Sequence, residues 1–250
     1  MHRSLAMYQR SLTLVLLSLF IVSVLLGGTA MAYTLQQNVR RHYIDNEAQV
    51  LIEMMNSVRD YTSTGIKPAL TQQPGSGFAP ESIPSYSAQQ VFERLRQRSQ
   101  YSRYSYKEAA LNPTSLRDKA DDFEQGLINQ FRNGQRAIDE PISGIKETPR
   151  GQVFYSARAL QVSKPACLQC HSTPDVAPAY ITAHYGSKNG FGWQLNEIIG
   201  AQILYLPVAE FAQTNRLLLQ RVMAVFIAVL GAVLVTVGIW LRSGRQTRAD

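Results

Sequence analysis

Two uncharged apolar runs near the ends of this chain constrain its fold more than anything between them. Leu12–Ala32 (LTLVLLSLFIVSVLLGGTAMA) and Val222–Leu241 (VMAVFIAVLGAVLVTVGIWL) contain no Asp, Glu, Lys or Arg. At about 1.5 Å rise per residue, about 20 residues of helix cross a hydrocarbon core of about 30 Å. Both runs are therefore expected to be transmembrane helices, over 12–33 and 218–241. Residues 34–217 are expected to form one domain between them, with short cytoplasmic ends at 1–11 and 242–250.

Orientation follows from the arginines. Arg3 and Arg10 precede the first run, and Arg242, Arg245 and Arg248 follow the second. The positive-inside bias then puts both termini in the cytoplasm and the domain on the periplasmic side of the inner membrane, although Arg40 and Arg41 weaken the bias. Ala30-Met31-Ala32 also fits a signal-peptide cleavage site. The apolar run exceeds the usual h-region of about 7–15 residues, which favours an uncleaved anchor, and either outcome exports the domain.

A formal charge of +7 raises the question of nucleic acid. Residues 34–217 hold 19 Lys and Arg against 17 Asp and Glu. The excess lies in the flanks and at the start of the second helix, so no nucleic-acid partner is expected.

Within the domain, Ile44, Ala48, Leu51, Met55 and Val58 recur at helical spacing, and Val50, Met54 and Tyr61 widen the same face. This predicts a long helix over 36–62 that continues the membrane helix outward. The Pro-, Gly- and Ser-rich stretch 63–86 reads as a loop. Ser87–Gln97 reads as a helix with Ser87 as N-cap and Gln90 at the capping-box position, and YSRYSYKEAA (101–110) as a strand. A turn at Asn112-Pro113 leads to a helix over Leu116–Asn133, with Phe123, Leu127 and Phe131 stacked and Gly134 as C-cap. Strands are expected at Gln152–Val162 and Ile198–Val208. The fold class is α+β: an antiparallel sheet with flanking helices, a long N-terminal helix and two transmembrane helices.

The loop between the last two strands carries PACLQCHSTP, residues 165–174, which contains both cysteines of the chain. C-x-x-C-H is the signature for covalent attachment of a c-type haem. Two thiols add across the porphyrin's vinyl groups and the adjacent imidazole ligates the iron. Cys167 and Cys170 are the expected thioether residues of one haem, with His171 as its axial ligand. A redox dithiol is disfavoured because Pro165 precedes the pair and STPDVAP follows it, a poor start for a long helix. A zinc site lacks a second Cys/His cluster. A disulfide closing so small a loop would stabilise little.

The stretches 155–208, VRDYTSTGIKPAL (58–70) and ALNPTSLRDKADDFE (110–124) resemble the periplasmic c-type haem sensor domains with a PAS-like fold that occur in bacteria and cyanobacteria. The most specific parts are CLQCH and GFGWQLNEIIGAQ. The resemblance implies a PAS-like topology and a role in sensing redox state or a small ligand. Such domains often sit between two membrane helices and precede a cytoplasmic signalling module. Here only RSGRQTRAD follows Leu241, so no kinase, cyclase or methyl-accepting module is expected in that tail.

Some relatives use a cysteine of the long helix as sixth ligand, and this chain has none to spare. Met54 and Met55 are the candidate substitutes, since a thioether opposite histidine is a familiar arrangement; core filling is the competing role for both. His184 and His42 are further candidates, and an open or water-occupied position would suit a diatomic gas ligand. Arg158 is a candidate propionate partner, against a solvated strand arginine. Phe191 and Trp193 are candidate walls for the porphyrin, against ordinary packing, and Tyr101, Tyr104 and Tyr106 either line the pocket or stabilise the sheet.

The expected function is a membrane-anchored monohaem cytochrome c that senses redox state or a small ligand and signals through its helices. The alternative is a membrane-bound electron carrier. No nucleophile–base constellation points to an enzyme. Expected partners are membrane lipid and a second copy of the chain or a membrane signalling or redox protein.

Overall fold

The computed structural model describes residues 2–71 and 78–246. The chain divides into two compact units, Met1–His42 with Glu210–Asp250, and Tyr43–Ala209.

The first unit is built from helical segments of α1 (His2–Tyr61) and α7 (Val208–Gln246). Both helices are long and apolar enough to cross a membrane. Leu19, Phe20, Leu26, Val225, Ile227 and Val229 all face outward. An apolar surface this extensive needs cover of apolar chemistry.

The second unit is α+β. Its sheet has the order β1-β4-β3-β2, from β1 (Ser105–Ala110), β2 (Ile142–Thr148), β3 (Gly151–Gln161) and β4 (Ile198–Pro207). All neighbouring strands are antiparallel. The central strand β4 is buried along most of its length, which its run of apolar residues permits. Gly200 sits where a Cβ would meet the carbonyl oxygen of Ala109 at 2.2 Å, so β1 and β4 approach this closely only with glycine there.

Residues alternate between the two sheet faces. One face carries Ala109, Ala157, Ala201 and Ile203, packed with Leu127, Ile128 and Phe131 of α4 (Asp122–Arg132). Asp121 caps α4 through a capping box with Glu124. The other face carries Tyr106, Glu108, Ser156, Arg158 and Gln202, which meet α1 or one another through side-chain bonds. Phe92 of α3 (Pro84–Arg96) packs on Tyr106.

Several expectations need correction. The buried stripe of α1 is Ile44, Ala48, Ile52 and Met55, whereas Val50, Met54 and Tyr61 are exposed. At about 100° per residue those three fall together on a stripe turned away from the core. Part of the expected loop is helical: a π-helical turn at Thr62–Ile66 is followed by α2 (Lys67–Thr71). Thr62, Ser63 and Thr64 donate their hydroxyls back to Val58, Arg59 and Asp60, so side chains that usually favour loops here follow the helix. Residues 72–77 of that stretch lie outside the described residues. Helix α3 starts at Pro84, whose ring presets the first turn, and Ser87 donates to the Glu81 carbonyl at 2.7 Å instead of capping. Strand β1 begins at Ser105, because Ser99–Tyr101 forms a 3-10 turn. Strand β2 was not expected.

Candidate functional site

The connection between β3 and β4 displays the C-x-x-C-H segment. Pro165–Cys167 forms a 3-10 turn that runs into the single turn of α5 (Leu168–His171), and α6 (Ala179–Tyr185) follows. The start of the segment is tied to α1 by an ion pair, Lys164 Nζ to Asp60 Oδ1 at 3.1 Å. One helical turn between Cys167 and Cys170 brings the two thiols to the same side. Both are half-buried and free. Burial pushes the Cys170 thiol pKa up, against the opposing charge of Lys67.

His171 is held more tightly than its neighbours. Its Nδ1 lies 2.8 Å from the carbonyl oxygen of Gly190, and its ring stacks on Trp193 with centroids 3.9 Å apart and planes 16° from parallel. The backbone reinforces the pairing: Gly192 N–H donates to the Ser172 carbonyl at 2.8 Å and Trp193 N–H to the His171 carbonyl at 3.2 Å. Nδ1–H donating to a backbone carbonyl selects the tautomer whose lone pair is on Nε2. Burial pushes the His171 pKa down, with the field of Arg59 adding to it and the Gly190 hydrogen bond opposing. The ring is thereby favoured in the neutral form that can bind a metal.

Gly190 is itself fixed. Its N–H donates to Asn112 Oδ1 at 3.1 Å, and Asn112 Nδ2 donates to the Phe191 carbonyl at 3.0 Å. Its φ is +80°, and a Cβ would lie 2.7 Å from Thr114 Cα. Only glycine brings this carbonyl to the histidine without strain.

Two thiols one turn apart and a neutral imidazole offering Nε2 fit a group that takes two thioether bonds and one axial nitrogen, as the C-x-x-C-H spacing predicts. Among the described residues, no three His, Cys, Asp or Glu side chains converge as a metal-ion shell.

Of the other candidates, the structure brings Trp193 to His171, while Phe191 is half-buried and contributes its carbonyl to Asn112. Arg158 is turned to α1, where it bonds Gln49 and Glu53. Met55 lies in the core at 2% exposure, and Met54 is 53% exposed. His184 is exposed against the rings of Phe78 and Tyr185, and His42 is exposed on the first unit. Tyr104 donates to Glu47 Oε1 at 2.8 Å with Tyr101 edge-on to it, and Tyr106 is buried beside Glu108. Sequence reasoning missed Asn112 as a clamp, together with Thr114, Gly190, Arg59, Glu108 and Gln202. A lone acid at a core-facing position of β1 was the available signal for Glu108.

The profile of the Tll0287-like family matches residues 36–207. Among solved structures, the chain is similar to that of the cyanobacterial haem protein Tll0287, at 15% identity and a TM-score of 0.49, covering 65% of this chain and 93% of the other. No curated protein matches.

Proposed function

The chain belongs to the Tll0287-like family, and from that premise we propose that it is a membrane-anchored haem protein whose domain carries one haem c. Cys167 and Cys170 provide the thioether bonds and His171 the proximal ligand. The observation that carries this reading is the restraint of the His171 ring by Gly190 and Trp193, which leaves Nε2 to face a metal.

When bound, the haem would supply a one-electron couple and a metal at which a small molecule could compete. The residues supply the rest. The Gly190 carbonyl fixes the tautomer and makes the imidazole a stronger donor. Trp193 fixes the plane of the ring, and partial burial favours its neutral form.

On this reading the domain faces the periplasm, adopts a PAS-like arrangement of its antiparallel sheet and helices, and has no enzymatic activity. It senses redox state or a diatomic gas and signals through α1 and α7 to a second copy or a membrane partner. The placement of the attachment loop against α1, through Lys164 and Asp60, supports a link between site and helix.

The test uses the full chain, made in a host with a working cytochrome maturation pathway. Intact mass and the pyridine haemochrome spectrum are expected to report one covalently bound haem. A protein without Soret absorption or added tetrapyrrole mass sinks the proposal. Ultraviolet-visible and resonance Raman spectra with and without CO or NO then divide the roles. An open or readily displaced sixth position is expected of a gas sensor, whereas low-spin six-coordinate iron indifferent to both gases favours electron transfer or redox sensing.

A further inference from the structure

A largely buried polar chain joins α1 to β1 and β4, and nothing in thioether or axial ligation uses it. Arg59 of α1 pairs with Glu108 Oε2 of β1. Tyr106 donates its hydroxyl to Glu108 Oε1 at 2.8 Å, and Gln202 of β4 donates to the Tyr106 hydroxyl oxygen at 2.9 Å. Glu108 is 5% exposed and Gln202 3%. The Arg59 side chain is 26% exposed, so only the carboxylate is fully buried. Desolvating even one member of an ion pair is costly, and well-packed apolar side chains of similar volume often serve stability as well or better. Stability alone is therefore a weak reason for a cation here.

Its location suggests another reason. Arg59 directly precedes Asp60, which holds Lys164, and Lys164 directly precedes the Pro165–Cys167 turn. We propose that Arg59, anchored by Glu108, Tyr106 and Gln202, is a positioning residue that raises the reduction potential of the haem held at Cys167, Cys170 and His171. This rests on the haem reading above. In reduction one electron enters ferric iron from an external one-electron donor, giving ferrous iron, and no bond forms or breaks. The iron centre loses one unit of positive charge, so a fixed cation nearby disfavours the ferric form. Glu108 partly offsets that effect.

The experiment uses the full chain with haem content measured first. Absence of haem overturns the reading above and this inference with it. With haem present, spectroelectrochemical titration of Arg59→Gln is expected to lower the equilibrium constant for reduction by about threefold to tenfold. Tenfold corresponds to about 59 mV for one electron. Arg59→Lys is expected to keep most of the wild-type potential, and Glu108→Gln to raise it. Wild-type potentials in both Arg59→Gln and Glu108→Gln, at full haem content, overturn the inference while leaving the haem reading intact. Should Arg59→Gln fail to accumulate, Glu108→Gln decides: a rise supports the inference, and an unchanged or lower potential overturns it.

Discussion

His171 Nδ1 and the carbonyl oxygen of Gly190 lie 2.8 Å apart, across 19 positions of sequence. The contact closes the cysteine loop on itself and commits one of the two ring nitrogens. Because the same loop stacks Trp193 on the ring, both the direction and the plane of the imidazole are set by residues that follow the C-x-x-C-H segment.

Gly190→Ala tests the closure. With φ at +80° and a Cβ 2.7 Å from Thr114 Cα, alanine must shift the backbone. A loss of about 1–3 kcal/mol in unfolding free energy is expected from urea titration. An unchanged midpoint would show that the loop does not need this conformation.

Asn112→Ala removes the clamp on Gly190 and Phe191. Loss of two hydrogen bonds at the partly exposed loop is expected to cost about 1–2 kcal/mol. Hydrogen exchange at the Gly190 amide is expected to accelerate. Unaltered protection there would remove Asn112 from the site.

Trp193→Ala is expected to lose about 0.5–1.5 kcal/mol beyond its buried area, the usual worth of an aromatic pair. Trp193→Phe should retain much of this. In haem-loaded protein the iron–histidine stretch in the resonance Raman spectrum is expected to broaden for alanine, as the ring gains freedom, and to stay sharp for phenylalanine.

Asp118 supplies a dependence on pH away from the loop. Burial pushes its carboxyl pKa up, opposed by Arg117 at 3.4 Å and Gln89 at 3.0 Å. With the folded pKa above the unfolded one, the native state binds more protons within that window. Stability therefore falls as pH rises from about 4 through the folded pKa, and then levels. Asp118→Asn removes this fall, so the variant should gain on wild type as pH rises from about 4 through the folded pKa. Parallel melting-temperature profiles of the two proteins would rule it out.

How much was legible depended on the range of the signal. Phe123, Leu127 and Phe131 marked α4 because helical spacing repeats within a few residues, and β3 and β4 showed as apolar runs. Strand β2 was missed because ISGIKET has a weak alternation and its pairing with β3 supplies what its own residues do not. Val50, Met54 and Tyr61 widen the apolar stripe of α1 yet face away from the sheet, because a broad apolar stripe does not say which edge of it meets the sheet.

The two apolar helices, the α+β class and the spacing of Cys167, Cys170 and His171 can be read locally, since each is a property of one short window. Packing sets which carbonyl receives His171, that of Gly190, and also that Arg59 rather than Arg158 faces Glu108 and that Met55 rather than Met54 is buried. Those outcomes depend on the strand order β1-β4-β3-β2 and on the side from which α1 meets the sheet. Contacts between residues tens of positions apart are fixed by packing, and no local periodicity encodes them.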